Sequence, residues 1–289
     1  MACKHIPVLL EEVLRYLDPR SGQILVDGTF GFGGHGLELA RRVGKKGKII
    51  AIEKDSRTLK EAKKNIPLSR YPQVMLRQGN FAHITDIVRS CAVEAVDGVL
   101  LDLGVNSYQL DSAGYGISIK HDDLLDMRID KEETSDTALD IIRRLNEKEL
   151  ADLLFQNADE YRSRRIASLI KRNITSINSS GDLARIIASA VSHRGKIHPA
   201  TKTFQALRVA VNNEFENLEQ FFQQIPAVLN PGGRVAVISF HSLEDRIVKN
   251  NFKKEPWVVI NKKPITPGEN ETKSNPRARS AKMRVATKN

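Results

Sequence analysis

Short apolar runs alternate with amphipathic segments along much of this chain. Four runs lie in the first hundred or so residues, and each of the first three is followed by a segment with helical periodicity. This alternation is typical of βαβ units, whose parallel strands are buried on both faces of a sheet. The predicted strands are residues 24–26, 49–52, 74–76 and 99–103, with a fifth at 234–240 after a Pro-Gly-Gly turn.

The middle of the chain has a different pattern. Between the fourth strand and residue 200, apolar residues recur at three- and four-residue spacing, which predicts helices at 135–145, 147–155, 163–173 and 181–191. We therefore expect residues 105–199 to be an inserted helical domain that roofs a crevice at the carboxyl ends of the strands, where open α/β sheets bind ligands. Residues 1–104 and 200–289 would form one discontinuous α/β domain.

A glycine-dense turn, residues 27–35 (DGTFGFGGH), follows the first predicted strand. Such a turn before a helix lets backbone N–H groups approach a ligand that side chains would block. Gly31, Gly33 and Gly36 satisfy G-x-G-x-x-G, and Glu53 ends the second strand, where an acid would bond ribose hydroxyls. The pattern predicts a cofactor loop, but it fits a dinucleotide and S-adenosylmethionine equally.

Three acids at strand ends distinguish these two cofactors. Asp27, Glu53 and Asp102 each end a predicted strand, and Asp27 directly precedes the glycines. A carboxylate there would repel a pyrophosphate, whereas S-adenosylmethionine brings an ammonium and a sulfonium. A single such acid is better explained as a helix cap, but three at successive strand ends beside a glycine loop favour a cationic cofactor.

Positive charge is concentrated in two segments of a chain with net charge +10. Residues 160–208 contain ten Lys and Arg against two acids, and residues 253–289 contain ten against three. Two such clusters favour a polyanionic partner, although solvated basic faces are the alternative. For Arg277 and Arg279, internal pairing with Glu244 or Asp245 is a further alternative. The candidate contacts to such a polyanion, a nucleic acid, are Arg164, Arg165, Arg194, Lys196, Lys202, Arg277 and Arg279.

The remaining composition indicates a cytoplasmic protein. Cys3 and Cys91 form no C-x-x-C pair, which is typical of a reducing compartment. No apolar run approaches the roughly 18 residues that would span a bilayer. His193 and His198 flank a basic turn suited to phosphate, and no spacing of His, Cys and acids predicts a metal site.

Seven sequence blocks carry a specific resemblance that runs from His5 to about Val285. In this order and spacing, the chain resembles the bacterial 16S ribosomal RNA cytosine-N4 methyltransferases of the MraW/RsmH family. The blocks are 5–10 (HIPVLL), 27–35 (DGTFGFGGH), 100–105 (LLDLGV), 125–128 (LDMR), 198–208 (HPATKTFQALR), 239–246 (SFHSLEDR) and 275–280 (NPRARS).

The resemblance implies a class I Rossmann-like methyltransferase, with a doubly wound, mostly parallel sheet and an inserted all-helical domain. It implies that S-adenosyl-L-methionine is the cofactor and that the substrate is a decoding-centre cytidine of 16S ribosomal RNA, within a small ribosomal subunit or its precursor. The cofactor contacts implied at matching positions are Gly33, Gly34, His35, Glu53, Phe81, Asp102 and Gln109. Asp27 and Gly31 of the loop are further candidate cofactor contacts.

The chain departs from the family pattern in three places. Glu53 replaces the more usual Asp, which keeps an acceptor for ribose but lengthens its reach. Residues 106–108 (NSY) replace Ser-Ser-Pro, so the position of Gln109 loses the support of a rigid proline. Residues 157–161 (NADEY) differ from the usual Gly-Glu-Glu-Arg, which leaves the role of that segment open.

The chemistry identifies two catalytic candidates. A cytosine amine is a poor nucleophile, so the enzyme must orient it and accept a hydrogen bond from it. Asp102 is the best candidate acceptor, with pure cofactor binding as the equal alternative. His241 is a candidate proton relay, although a helix cap formed by Ser242 and Asp245 also explains its segment. Aromatic candidates for stacking on a splayed base, most of them expected in the core, are Phe30, Phe32, Tyr108, Tyr115, Phe204 and Phe240.

Three other functions stay open at this point. A dinucleotide-dependent oxidoreductase shares the loop pattern, and a non-catalytic RNA-binding protein could retain the same fold. A methyltransferase that acts on DNA or protein is disfavoured, because the blocks across the whole chain match an RNA family. Binding of S-adenosylmethionine against NADH would separate the first of these functions from the methyltransferases.

Overall fold

The computed structural model describes residues 7–132, 134–190 and 198–289. The chain divides into two compact units. The first unit comprises Met1–Gly104 and Phe215–Asn289, and the second comprises Val105–Glu214. The predicted RNA contacts Arg194 and Lys196 lie outside the described residues.

A seven-stranded sheet forms the centre of the first unit, in the order β3-β2-β1-β4-β5-β7-β6. The first five strands pair in parallel, and β7 runs antiparallel to both of its neighbours. The predicted doubly wound, mostly parallel sheet is therefore confirmed. The strands are β1 (Ile24–Asp27), β2 (Lys48–Glu53), β3 (Val74–Gln78), β4 (Val96–Asp102), β5 (Leu229–Ser239), β6 (Trp257–Val259) and β7 (Lys282–Lys288).

Helices flank the sheet in the first unit and build most of the second. The first-unit helices are α1 (Leu10–Leu17), α2 (Gly34–Val43), α3 (Ser56–Asn65), α4 (Ile84–Ser90), α11 (Glu214–Gln224), α12 (Ser242–Asn251) and α13 (Glu269–Ser274). Those of the second unit are α5 (Ser107–Asp111), α6 (Ala138–Arg144), α7 (Glu147–Ala158), α8 (Ser163–Arg172), α9 (Ser180–Ala190) and α10 (Thr201–Asn212). Across the described residues, no helix has both the length and the apolar character that a membrane span requires.

The sheet has a hydrophobic core on each face. Because successive strand residues point to opposite faces, Leu25 joins one core and Val26 the other. Leu100 and Leu101 on β4 divide in the same way. Both faces are buried, which is why these strands appear in the sequence as continuous apolar runs rather than as alternating patterns.

The strand order places β1 between β2 and β4, where the direction of the winding reverses. The loop after β1 bonds to both neighbours: the Gly28 N–H donates to the Leu100 carbonyl at 2.9 Å and the Phe30 N–H to the Ile52 carbonyl at 2.9 Å. Open α/β sheets bind ligands at such a reversal. The fold therefore positions the glycine loop at the expected ligand edge.

The sequence pattern did not predict β7, which lies between β5 and β6. The strand contains a buried arginine, Arg284. Its burial is tolerated because the guanidinium donates two hydrogen bonds to the Asp245 carboxylate, at 2.6 and 3.1 Å. A paired, buried arginine breaks the apolar signal by which buried strands are recognised.

The second unit packs around a core of its own. Helix α10 contributes Phe204, Leu207 and Val211 to the same core as Leu150 and Leu154 of α7. The compact unit therefore extends to Glu214, whereas the insertion was predicted to end at residue 199, with the residues of α10 in the α/β domain. Periodicity shows that a helix has an apolar face, but not which core receives it.

Candidate active site

The loop after β1 contains two glycines in the left-handed backbone region, Gly31 with φ 54° and Gly33 with φ 77°. A Cβ on Gly33 would lie 2.8 Å from Phe30 Cζ and 2.9 Å from Leu37 Cγ, so this glycine is required by the packing of the loop itself. A Cβ on Gly31 would meet no protein atom within 4 Å. The open space beside the loop backbone therefore lies at Gly31.

Asp27 ends β1 as a buried carboxyl. Its Oδ1 accepts a hydrogen bond from the Thr29 N–H at 3.2 Å. Burial raises the pKa of Asp27 to about 7, and the N–H groups of Thr29 and Gly36 only partly offset this rise. A buried acid with so few donors is stabilised in its ionised form by a nearby cation.

Glu53 joins the end of β2 to the glycine loop. Its Oε2 accepts from the Gly31 N–H at 2.9 Å and its Oε1 from the Asp55 N–H at 2.8 Å. Burial is the main cause that raises the pKa of Glu53 to about 7, with smaller upward effects from Asp55 and Asp27. Each carboxylate oxygen can accept a second hydrogen bond, so Glu53 keeps acceptor capacity for a ligand hydroxyl.

Asp102 ends β4 and has one unsatisfied oxygen. Its backbone N–H donates to Thr29 Oγ1 at 2.7 Å, which joins β4 to the loop. Asp102 Oδ1 is buried and has no hydrogen-bond partner among the described residues. Burial, followed by the charges of Asp27 and Glu244, raises the pKa of Asp102 well above its ordinary value. An orphaned acceptor of this kind indicates a position for a ligand donor.

His35 lies beside Asp102. Its Nε2 is 2.8 Å from the Val8 carbonyl, which can only accept, so Nε2 carries the hydrogen. Its Nδ1 then faces Asp102 Oδ2 at 3.6 Å. The ring is buried and anchored at one nitrogen, so it presents the other nitrogen to the carboxyl in a fixed orientation.

The other predicted cofactor contacts have clear structural positions. Phe81 follows β3, its ring packs edge to face on Phe221 at 6.1 Å, and its Cβ lies 3.3 Å from the position of a Cβ on Gly28. It therefore borders the loop. Gly34 is the first residue of α2.

Gln109 belongs to the second unit and forms a reciprocal capping box with Asn106 on α5. Gln109 Oε1 accepts from the Asn106 N–H at 3.0 Å, and the Gln109 N–H donates to Asn106 Oδ1 at 2.9 Å. These bonds organise the first turn that a proline would otherwise stiffen. The role of Gln109 toward the cofactor stays a prediction.

His241 is the N-cap of α12, and the predicted cap at Ser242 with Asp245 is wrong by one residue. His241 Nδ1 accepts from the Glu244 N–H at 3.3 Å, while Glu244 Oε2 accepts from the N–H groups of Phe240 and His241, at 2.8 and 3.2 Å. Asp245 is free of the cap and pairs with Arg284. The capping bond holds the His241 ring, and its role as a proton relay stays a prediction.

The predicted RNA contacts that the structure describes are solvent-exposed cations. Arg164 and Arg165 are exposed at the start of α8, and Lys202 is exposed on α10. Arg277 and Arg279 are exposed on either side of the fully buried Ala278. The acids considered as internal partners for these last two arginines are bonded elsewhere, Glu244 within its capping box and Asp245 to Arg284.

The aromatic candidates for base stacking divide by burial. Phe30, Tyr115 and Phe204 are buried in the cores, and Phe32, Tyr108 and Phe240 are partly buried. Two aromatics that were not among the predicted candidates are far more exposed, Phe155 at 47% and Tyr161 at 82%. Phe155 was predicted to lie on a helix, where an aromatic usually packs inward. The one sequence feature that pointed to an unusual surface here was the departure of residues 157–161 from the family pattern.

We expect Gly31→Ala to weaken S-adenosylmethionine binding about tenfold, because its methyl group would enter the open space beside the loop. Gly22→Ala is the matched control. Gly22 also has a positive φ, 89°, and open space around its Cβ position, but it lies in the turn before β1. Calorimetric binding of both variants, with thermal melts, separates backbone strain from a lost ligand contact. Equal losses in the two variants would contradict the placement of the ligand at Gly31.

Fold and site together define the class of the protein. The loop lies at the reversal of strand order, and the carboxyls of Asp27, Glu53 and Asp102 suit a cation and oppose a pyrophosphate. The protein is an S-adenosylmethionine-dependent methyltransferase of the Rossmann-like class. It belongs to the MraW methylase family, whose sequence profile matches residues 2–289.

Two curated relatives of similar length support this assignment. Ribosomal RNA small subunit methyltransferase H of Sorangium cellulosum is 43% identical over 288 residues, which cover 98% of this chain and 90% of that protein. The protein of the same name from Desulfotalea psychrophila is 42% identical over 290 residues, 98% of each chain. Among solved structures, TrmN from Thermus thermophilus is 14% identical with a TM-score of 0.48, covering 97% of this chain and 48% of that one.

Proposed function

We propose that this protein transfers a methyl group from S-adenosyl-L-methionine to the exocyclic N4 of a decoding-centre cytidine in 16S ribosomal RNA. Relatives named ribosomal RNA small subunit methyltransferase H match nearly the whole chain, which supports a small-subunit RNA substrate. The observation that carries the proposed chemistry is the buried Oδ1 of Asp102 at the end of β4, which has no hydrogen-bond partner in the part of the chain that the structure describes.

The bound cofactor would supply an electrophilic methyl group on a sulfonium. The acids at the strand ends would hold its positive charges, and Glu53 would accept from a ribose hydroxyl. The loop glycines admit the ligand to the backbone, and Phe81 would border it with an apolar ring. The proposed cofactor residues are Asp27, Gly31, Gly33, Gly34, His35, Glu53, Phe81, Asp102 and Gln109.

Asp102 would act on the amine. Its free Oδ1 can accept a hydrogen bond from N4, which draws the amine hydrogens out of the ring plane and localises the nitrogen lone pair. His35 Nδ1 lies beside the same carboxyl, 3.6 Å from Oδ2. Methylated N4 must lose one proton, and Asp102, or His241 once its capping bond at Nδ1 opens, would accept it.

Exposed cations would bind the RNA backbone of a small ribosomal subunit or its precursor. The described candidates are Arg164, Arg165, Lys202, Arg277 and Arg279, all of them at the surface. Contacts to phosphate add affinity without reading sequence. Recognition of the target cytidine must therefore come from other residues.

Nucleoside mapping tests the proposed reaction. Small-subunit RNA, free and within subunits, is incubated with labelled S-adenosylmethionine and digested for mass spectrometry. The expected product is N4-methylcytidine at one decoding-centre position, with Asp102→Asn as the low-activity control. Label at C5, at a ribose hydroxyl or in protein would overturn the assignment, and so would binding of NADH in place of S-adenosylmethionine.

Neutralising two cations should flatten the salt dependence of RNA binding. We expect Arg164→Gln with Arg165→Gln to reduce the slope of log affinity against log salt by roughly 0.7 for each lost phosphate contact with single-stranded RNA. Lys45→Gln with Lys46→Gln is the control, because these adjacent exposed lysines lie outside the basic segments. Salt-titrated anisotropy measures the slope. An unchanged slope with a lowered melting temperature would indicate a structural role instead.

A further inference from the structure

Two aromatic side chains are unusually exposed in the second unit. Tyr161 is 82% exposed and Phe155 is 47% exposed, and their rings meet edge to face with centroids 6.0 Å apart. The Lys202 ammonium lies over the Tyr161 ring, 5.4 Å from its centroid. We call Phe155, Tyr161 and Lys202 the Tyr161 platform. Most of the Tyr161 surface is open to solvent despite these two contacts.

The backbone around Tyr161 is held on both sides. Asp159 ends α7 in the left-handed conformation, φ 47°, and its carbonyl accepts from Lys202 Nζ at 2.7 Å. Glu160 is buried, and its Oε1 accepts from the Arg162 N–H at 2.9 Å. The backbone that carries Tyr161 is therefore held in place, so little backbone entropy is lost when a ligand binds to the ring.

Exposed cations lie next to Tyr161 in the chain, and the Lys202 ammonium lies over its ring. Arg162, Arg164 and Arg165 follow Tyr161 along the chain and are exposed, and Lys202 completes the group. An aromatic ring among several cations matches the two parts of a nucleotide, because the base stacks while the phosphate pairs with the cations. A protein partner would favour a larger, less charged apolar patch.

We propose that the Tyr161 platform stacks an unpaired nucleobase of the RNA substrate at a site that does not carry out the chemistry. The inference rests on the proposed function only in taking RNA as the substrate. Stacking accepts any base, so the platform would hold a flanking single-stranded nucleotide rather than select the target cytidine. Tyr161 is thus a substrate-positioning residue.

Binding of two oligonucleotides tests the platform. A short oligocytidylate offers bases and charge, and an abasic oligonucleotide of the same length offers charge alone. We expect Tyr161→Ala to bind oligocytidylate roughly tenfold more weakly and the abasic probe as well as the unaltered protein does. Tyr161→Trp should bind oligocytidylate as well as the unaltered protein does. Its fluorescence has two sources, the introduced indole at position 161 and Trp257, the one native tryptophan, and only oligocytidylate should quench the part that the substitution adds.

Leu124→Ala is the matched control, since Leu124 is a 77% exposed apolar residue of the same unit. It should leave both affinities unchanged, and thermal melts should be unaltered in all three variants. Unchanged oligocytidylate binding by Tyr161→Ala would overturn the platform, as would equal losses for both probes. Binding to intact small ribosomal subunits is measured in parallel, and a loss seen there but not with oligocytidylate would identify a protein contact and also overturn the platform. None of these readouts uses methyl transfer, so they remain decisive if nucleoside mapping rejects the proposed reaction.

Discussion

Asp102→Asn should lower the rate of methyl transfer about a hundredfold while changing S-adenosylmethionine affinity by less than about tenfold. The substitution preserves the shape of the side chain but puts a neutral amide in place of the carboxyl whose Oδ1 has no hydrogen-bond partner among the described residues. If that oxygen draws the amine out of conjugation, its loss is felt mainly in the transition state. Single-turnover rates at saturating cofactor, with calorimetric binding, measure the two effects separately.

Glu53→Gln provides the contrast, because both Glu53 oxygens already accept backbone N–H groups beside the loop. We expect it to weaken cofactor binding and leave the single-turnover rate within a few-fold of the unaltered protein. If both variants lose binding and rate in the same proportion, Asp102 is a cofactor-binding residue and not the acceptor for the amine.

Affinity for S-adenosylmethionine should increase as the pH rises from about 5.5 to 7. Burial raises the pKa of Asp27 and of Glu53 to about 7, so both carboxyls of the free protein are mostly protonated below that pH. A cation favours their ionised forms, so binding releases protons. Affinity should change by about tenfold per pH unit for each carboxyl that ionises on binding. Calorimetry in buffers of different ionisation enthalpy measures the proton release directly.

The stability of the free protein should change in the opposite direction. An acid with a raised pKa holds its proton in the folded state after the unfolded chain has lost it. The stabilisation from Asp27 and Glu53 is therefore full below their ordinary pKa values, near 4, and is lost as the pH rises to about 7. Glu53→Gln should flatten both pH profiles. Affinity that is independent of pH, with no proton release, would contradict the buried-acid site.

The parallel strands, the glycine loop and its acids could be predicted from the sequence, because each is encoded by residues that are adjacent in the chain. Continuous apolar runs identified the parallel strands, because both faces of the sheet are covered. The loop and its acids were predictable because parallel strands end at the same edge, so Asp27, Glu53 and Asp102 had to come close together. The preference of the site for a cationic ligand follows from this grouping of the three acids.

The features that the sequence did not predict depend on partners that are distant in the chain. Strand β7 contains Arg284, whose burial depends on Asp245 in another element. The cap of α12 depends on His241, a residue type that is less usual at this position than the neighbouring serine. The exposure of Tyr161 depends on how α7 and α8 pack, and no local pattern contains that information.

The position of β7 has a consequence during synthesis. Strand β5 lies between β4 and β7 in the finished sheet, and β7 is the last strand in chain order. While residues 240–281 are being made, one edge of a strongly apolar β5 has no neighbour, and an uncovered edge of that kind is a template for pairing with other chains. The nascent protein is therefore exposed to aggregation until residues 282–288 pair with β5. The strand that covers this edge, β7, itself contains two charged residues, Lys282 and Arg284.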